Sequence, residues 1–219
     1  MKSFPMYLIP LLVLISACGT QQHEVRGAMQ DTTGVTPGPA QPAPVSEEPK
    51  DQDELMPFLL AGHEILNVQK GDINNDQLED VILIQHANNE AETSETADHP
   101  QPRPLMLLLR KLDGTLHLAG RNDQVVMCID CGGMMGDPYQ GIVIKGNYFS
   151  IENYGGSAWR WSRIITFKYR PDRQDWYLHK EGGLSYHTAS SDSTMEESIK
   201  TVEDFGEVRF EEYQAEEAP

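Results

Sequence analysis

The clearest pattern in the chain is an alternation of apolar and polar residues between positions 159 and 170. In "WRWSRIITFKYR" one face carries the apolar set Trp159, Trp161, Ile165, Phe167 and Tyr169. A period of two is typical of an antiparallel strand that buries one face. The polar stretch "PDRQD" follows and "WYLHK" returns, so residues 159–180 are predicted to form a β-hairpin.

Eight further apolar stretches are candidate strands, separated by Gly, Asn, Asp and Pro clusters. They are "EILNVQK", "DVILIQH", "PLMLLLR", "TLHLA", "QVVMCI", "GIVIKG", "YFSIENY" and "EVRFEEY". Only residues 52–62 and 192–204 are compatible with short helices, and residues 86–104 read as a long, mobile polar loop. Many short strands with frequent turns predict an all-β domain, either an antiparallel sandwich or a strongly curved sheet.

The N-terminus has the pattern of an export signal. Lys2 precedes an apolar run over residues 7–15, which is too short to span a bilayer, and small residues then lead to Cys18. The "ISAC" of residues 15–18 resembles the lipobox of bacterial lipoproteins. That resemblance implies that residues 1–17 are a cleaved signal peptide and that Cys18 carries the lipid that anchors the chain to a membrane. The alternative is an ordinary cleaved signal peptide in which Cys18 is incidental.

Composition divides the rest of the chain into three segments. Residues 18–54 are rich in Pro, Gln, Thr and Glu, cannot bury a core, and are predicted to form a disordered tether. Such a flexible segment has a root-mean-square reach of roughly 30–40 Å. Residues 55–213 are predicted to form the all-β domain, followed by an acidic tail over residues 214–219.

The charge balance limits the possible partners. The 219 residues carry a formal net charge of -17, with no basic stripe, which argues against nucleic acid as a partner. An acidic surface suits divalent cations. Together with the lipid anchor, these features predict a location in the cell envelope, at the outer membrane, with either its periplasmic or its surface side possible.

One loop gathers oxygen-bearing side chains just before a strand, in "GDINNDQLEDVILI" at residues 71–84. Counted from its first aspartate, side-chain oxygens fall at positions 1, 3, 5 and 9, and a backbone carbonyl is available at position 7: Asp72, Asn74, Asp76, Asp80 and Leu78. Alternate oxygen ligands of this kind suit Ca²⁺. An EF-hand needs glycine at position 6 and glutamate at position 12, where this chain has Gln77 and Leu83.

The loop resembles the calcium sites of FG-GAP or VCBS repeats, whose pattern is D-x-[DN]-x-[DN]-G-x-x-D before an apolar strand. The resemblance implies a structural calcium ion and propeller-blade-like hairpins. Gln77 replaces the glycine, which costs about 1 kcal/mol if the position requires a positive φ. The alternative is a polar turn whose side chains bond their own backbone. With a single copy of the motif, the chain is too short for a full propeller.

A wider resemblance covers three other segments. Residues 128–133 ("CIDCGG"), 137–138 ("DP") and 155–161 ("GGSAWRW") resemble segments of uncharacterised VCBS-repeat-type envelope lipoproteins. That group implies no particular activity.

Cys128 and Cys131 have three possible roles. An exported protein favours a structural disulfide. C-x-x-C is also the motif of thiol–disulfide exchange. Finally, Met127, Met134 and Met135 lie nearby, and thiolates with thioethers select copper(I).

The sequence contains none of the familiar fingerprints of hydrolases, zinc proteases, P-loops or dinucleotide-binding folds, so no catalytic residue is predicted. Tyr154, Trp159, Arg160 and Trp161 surround a Gly-Gly pair and are candidates for a binding surface, because these residue types are common in hot spots. The alternative is that the tryptophans belong to the core. The predicted function is a non-enzymatic binding or structural module with an envelope protein or glycan as partner. The second hypothesis is an envelope redox or copper-handling protein.

Overall fold

The computed structural model describes residues 53–215, and β-strands make up most of their regular structure. The strands are β1 (His63–Gly71), β2 (Asp80–Ala87), β3 (Leu105–Arg110), β4 (Leu116–Asn122), β5 (Tyr139–Lys145), β6 (Tyr148–Gly156), β7 (Trp159–Arg170), β8 (Asp175–His187) and β9 (Glu196–Thr201). Single α-helical turns lie at Glu90–Thr93, Ser191–Thr194 and Val202–Phe205, and 3-10 turns at Met56–Phe58, Gly133–Met135 and Phe210–Glu212.

The strands form two antiparallel sheets, each a simple meander. Sheet 1 has the order β1-β2-β3-β4, and sheet 2 has the order β5-β6-β7-β8-β9. Apolar side chains of both sheets pack into one core, so the all-β antiparallel prediction is confirmed in its sandwich form.

The main core lies between the inner faces of the two sheets. Its buried members from the sheets are Ile82, Ile84, Leu105, Leu107, Ile142, Phe149, Ile151, Ile165, Phe167, Trp176 and Leu178. Phe210, from the C-terminal segment, enters this core and makes edge contacts with Phe149 and Phe167 at centroid distances of 5.8 and 5.2 Å. The Asn122 amide holds that segment in place by donating to the carbonyls of Phe210 and Tyr213.

Sheet 1 is also buried on its other face. A second cluster there contains Leu55, Val68, Val81, Leu83, Met106 and Leu108, covered by the apolar residues 58–60. Residues 81–84 of β2 are therefore fully buried, in agreement with their continuous apolar sequence.

Sheet 2 has one buried face and one face open to solvent, which we call the outer face. Trp161, Ile165 and Phe167 point inward, as the alternation predicts. Arg163 has the same parity and is also buried; it pairs with Glu181, and both groups contact the Tyr213 hydroxyl. Trp159, predicted on the buried face, is 53% exposed because it stands at the end of the β6–β7 hairpin.

Two predicted strands are not strands in the structure. The first, residues 124–129, begins with a turn. The side-chain oxygen of Asn122 accepts hydrogen bonds from the backbone amides of Gln124 and Val125 and so bends the chain there. Residues 207–213 make only an isolated bridge between Tyr177 and Arg209 before the 3-10 turn. Both segments bury apolar side chains, which explains the apolar pattern without a strand.

The prediction of a helix over residues 192–204 is correct only at its two ends. Between them lies β9, an exposed edge strand whose polar sequence gives no strand signal. Strand β8 continues through Gly182 and Gly183, paired with β7 on one side and β9 on the other.

Some predictions concern residues that lie outside the described range. These are the signal peptide, Cys18 and the tether up to residue 52, together with residues 216–219 of the tail. The ends of the predicted domain, Leu55 and Tyr213, are both buried.

Candidate functional site

The acidic loop connects β1 to β2 on one side of sheet 1. Asp72 directly follows β1, and Asp80 is the first residue of β2, paired with Gly71 across the ladder. The intervening backbone turns tightly, with positive φ at Asn75 (65°) and Gln77 (71°). The sequence therefore concentrates its polar residues where the chain reverses direction.

Three of the predicted ligands converge. Carboxylate oxygens of Asp72, Asp76 and Asp80 all lie within 4.8 Å of one another. Asp80 is completely buried, and its two oxygens accept from the amides of Ile73 (3.1 Å) and Arg110 (2.9 Å). Burial raises the pKa of Asp80 above its usual value; the two amides oppose this effect, and the charges of Asp76 and Asp72 add to it. Ionising all three carboxyl groups together is therefore unfavourable unless a cation lies between them.

Hydrogen bonds inside the loop fix its shape. Asp72 accepts from the amides of Asn75 and Gln77 at 2.6 and 2.9 Å, and Asp76 accepts from the amide of Leu78 at 2.8 Å. The Asn74 amide group donates to Asp76 at 2.9 Å, so this predicted ligand lies beside the cluster. These contacts form the polar turn that the sequence also allowed, and they are compatible with a cation because each carboxylate keeps further lone pairs.

The nearest guanidinium is occupied by other groups. Arg110 pairs with Glu54 and donates to the carbonyls of Glu79 and Gly114. Three carboxylates with an adjacent amide are a donor set that fits a hard cation such as Ca²⁺.

The cysteines lie in a loop between the two sheets. Their sulfur atoms are at bonding distance, 2.11 Å, with Cα atoms 5.1 Å apart. Cys128 is buried and Cys131 is half-buried. Met127 is nearly buried, whereas Met134 and Met135 are exposed on the following 3-10 turn. The thiol-exchange and copper hypotheses stay predictions.

Asp130, between the cysteines, attaches this loop to the segment after β2. Its carboxylate accepts from the Ser94 hydroxyl (2.7 Å) and the Thr96 amide (2.8 Å). Burial alone would raise the pKa of Asp130, but these hydrogen bonds together outweigh burial and lower it. Residues 86–104, predicted to be a mobile loop, thus have fixed contacts at their centre.

A buried arginine holds the same region together and was not predicted. Arg103 is 1% exposed and makes two paired contacts with Glu90 (2.6 and 3.0 Å) and two with Asp137 (2.8 and 2.7 Å). It also donates to the carbonyl of Met127 at 3.1 Å. Breaking such a buried pair typically costs about 3–5 kcal/mol, because one charge is left without a partner.

The three segments of the wider resemblance meet at this point. The amide of Gly156 donates to the carbonyl of Gly132 (2.8 Å), and the amide of Tyr154 donates to that of Pro138 (2.8 Å). A Cβ on Gly155 would lie 2.5 Å from the Trp161 ring, so the close approach requires glycine. The segments form one structural junction between the sheets.

The predicted binding surface is only partly assembled. Tyr154 and Arg160 lie on the outer face of sheet 2, and Trp159 is exposed at its end, but Trp161 belongs to the interior. Tyr186, missed by the sequence reading, joins this surface with its hydroxyl 3.3 Å from that of Tyr154. Tyr186 reaches this surface because β8 continues through Gly182 and Gly183, and glycines are weak strand signals in a sequence.

The fold and the loop define a class: an all-β sandwich with an acidic strand-connecting loop. Comparison with family models, curated proteins and solved structures finds no match for this chain. Between residues 53 and 215, no helix is long and apolar enough to cross a membrane.

Replacing Gln77 by glycine should stabilise the domain. Gln77 has a φ of 71°, a region that glycine adopts freely, so we expect Gln77→Gly to raise the free energy of unfolding by about 0.5–1 kcal/mol. Gln174→Gly, at a φ of 53° in the β7–β8 turn, is the matched change outside the acidic loop. Chemical denaturation measures both, and a loss of stability in Gln77→Gly would contradict the expectation.

Glycine at position 156 should be irreplaceable. A Cβ there would lie 2.0 Å from the Trp159 carbonyl oxygen, so Gly156→Ala should cost about 3 kcal/mol or more. Gly146 also has a positive φ (57°), but a Cβ on it would meet nothing within 4 Å. Gly146→Ala should therefore cost only about 1–2 kcal/mol, and equal losses in denaturant titrations would show that the contact is unimportant.

Proposed function

We propose that this protein is a lipid-anchored protein of the bacterial cell envelope whose β domain, stabilised by Ca²⁺, is a non-enzymatic binding module. The anchor is the lipid expected on Cys18, and residues 18–54 are the expected tether, whose last residue, Glu54, is paired with Arg110 of the domain. The outer membrane is the expected site. The convergence of Asp72, Asp76 and Asp80 is the observation that carries the calcium part of the proposal.

A cation in this loop would act on the whole sandwich. Ile73 lies within the loop, and its side chain is completely buried in the main core. Its amide donates to Asp80, and its carbonyl accepts from the Trp176 indole of sheet 2 at 3.1 Å. Neutralising the three carboxylates would therefore stabilise a loop that both sheets contact.

The binding part of the proposal is supported by the asymmetry of the two sheets. The far face of sheet 1 is covered by residues 55–60, whereas the outer face of sheet 2 has no such cover among the described residues. The chain enters the domain on the covered side. The outer face of sheet 2 is thus directed away from the entry of the tether and is free for a partner.

Calcium should raise the melting temperature of the full-length chain, and a chelator should lower it. A cation present at 100 times its Kd adds about 2.7 kcal/mol of stability. Asp76→Ala should abolish the difference, whereas Asp192→Ala, which removes an exposed aspartate from the helical turn Ser191–Thr194, should preserve it. A wild-type melt that is the same with calcium and with chelator would disprove the cation site.

The calcium effect should depend on pH in a defined direction. The folded-state pKa of Asp80 is raised, mainly by burial, so without calcium the folded protein gains stability as the pH falls through that pKa. Protons then compete with the cation. The calcium-induced increase should be larger at neutral pH and should decline on acidification, as melts over a pH series would show.

Mass spectrometry of protein extracted from membranes should find an N-terminal, lipid-modified Cys18. Cys18→Ser should leave the chain in the soluble fraction, because the lipid is its expected membrane anchor. Detection of unmodified Cys18 in the mature protein, or its absence, would contradict this part of the proposal and leave the calcium part intact.

A further inference from the structure

The basic side chains are distributed unevenly over this acidic protein. The described residues include fourteen lysines and arginines, and most of them are engaged by a carboxylate or another group. Within residues 53–215, the cations that form no ion pair are Lys111, Lys145, Arg160, Lys168 and Lys180. Four of these five, all except Lys111, lie on the outer face of sheet 2.

Strand register shows how three of them come together. Lys145, Tyr148 and Lys168 are paired across three adjacent strands, so their side chains share the outer face. Lys180 lies opposite Thr166, one row further along, and is therefore a diagonal neighbour of Lys168. Diagonal neighbours on one face have Cα atoms about 7–8 Å apart, which lets one anion reach both ammonium groups.

The aromatic ring at the centre of this group adds a second feature. The Lys168 ammonium lies 5.1 Å from the centroid of the Tyr148 ring, and the ring of His179 approaches the same tyrosine at 5.0 Å. Burial, followed by the charges of Lys168 and Lys180, lowers the pKa of His179. Lys168 therefore lies over an aromatic surface that Tyr148 and His179 form together.

The rest of the outer face contains a shallow depression of about 510 Å³ with a mixed lining. Hydroxyl groups of Ser150, Ser162 and Thr166 line it together with the apolar side chains of Ile164, Leu184 and Ile199. Gly182 adds no side chain to it, and a Cβ there would meet nothing within 4 Å. The Tyr154–Tyr186 pair lies beyond the depression, towards the end of β7 opposite to the lysines.

We propose that the outer face of sheet 2 binds an acidic polysaccharide. Lysines suit its carboxylates, hydroxyl groups suit its sugar hydroxyls, and tyrosine rings offer flat apolar surfaces to sugar rings. The proposal rests on the domain being a binding module and names its ligand class. We favour a polysaccharide over a membrane surface because Ile164, Leu184 and Ile199 line a depression that also carries hydroxyl groups, and such a mixed surface suits a sugar ring.

The acidic side chains that the strand register places on this face are Glu152, Glu197 and Asp175. Glu152 and Glu197 lie in the rows beyond the lysine group, towards the tyrosine pair, and Asp175 is paired with Arg209. The lysine end of the face therefore stays positive on a chain with a net charge of -17. Charge complementarity of this kind selects an anionic partner and makes its binding sensitive to salt.

The test uses the full-length chain in neutral detergent, with polygalacturonate, an uncharged glucan of similar length and anionic lipid vesicles as separate probes. We expect saturable binding to polygalacturonate that weakens as salt is added. The combined Lys168→Glu and Lys180→Glu change should weaken it by roughly tenfold or more. Lys111→Glu, the same charge change at an unpaired lysine away from this face, should leave it unchanged.

Three results would overturn the proposal: equal binding of the uncharged glucan, preference for the vesicles, or full binding by the doubly reversed variant. Calcium-dependent melts of the same samples show separately whether each variant is folded and whether the cation site is present. If the wild-type chain responds to calcium but does not bind polygalacturonate, the ligand class is rejected and the proposed cation site is not affected.

Discussion

The burial of β2 on both faces is the constraint on which the rest of this structure depends. Residues 81–84 have no exposed side chain, so the strand needs apolar cover on two sides. Sheet 2 supplies one side, and the segment 55–60 supplies the other. Asp80 is the first residue of this strand and is buried with it. Burying a carboxylate is costly unless hydrogen bonds, such as that from the Ile73 amide, or a positive charge stabilise it. The position of the acidic loop is thus a result of how sheet 1 is covered.

The alternation of apolar and polar residues predicted the strands that bury one face. It failed for buried residues that lie outside strands and for a strand that is exposed. Residues 159–170 and 148–154 follow the period of two, and both are strands. Val125 and Val126 are also buried, but they follow a turn that the Asn122 side chain stabilises. A hydrogen bond from a side chain to the backbone leaves no periodic pattern in the sequence, so this turn was not predicted. The opposite error occurred at β9, because an exposed edge strand buries nothing and leaves no apolar pattern.

The candidate site shows the same division. The spacing of Asp72, Asp76 and Asp80 was enough to predict that they meet, because all three belong to one short loop. The Arg103 cluster joins residues from 90 to 137, and nothing in the chain indicates which of many charges will be buried together. For the same reason the ion pair of Arg163 with Glu181 was not predicted, although the alternation in β7 places Arg163 on the buried face. The basic group of the outer face depends on the register of four strands, which became readable only with the sheet.

The segment that covers sheet 1 also receives the chain from its N-terminal side. Any force along that chain reaches the domain first at the Glu54–Arg110 ion pair (3.0 Å) and then at Leu55, which is 1% exposed. Pulling would detach this cover from β2 before it strained the main core. Residues 55–60 contact the second cluster, on the far face of sheet 1, and not the core between the two sheets. The domain therefore has a mechanical weak point, close to the Arg110 amide that holds Asp80, where tension would be converted into exposed apolar surface.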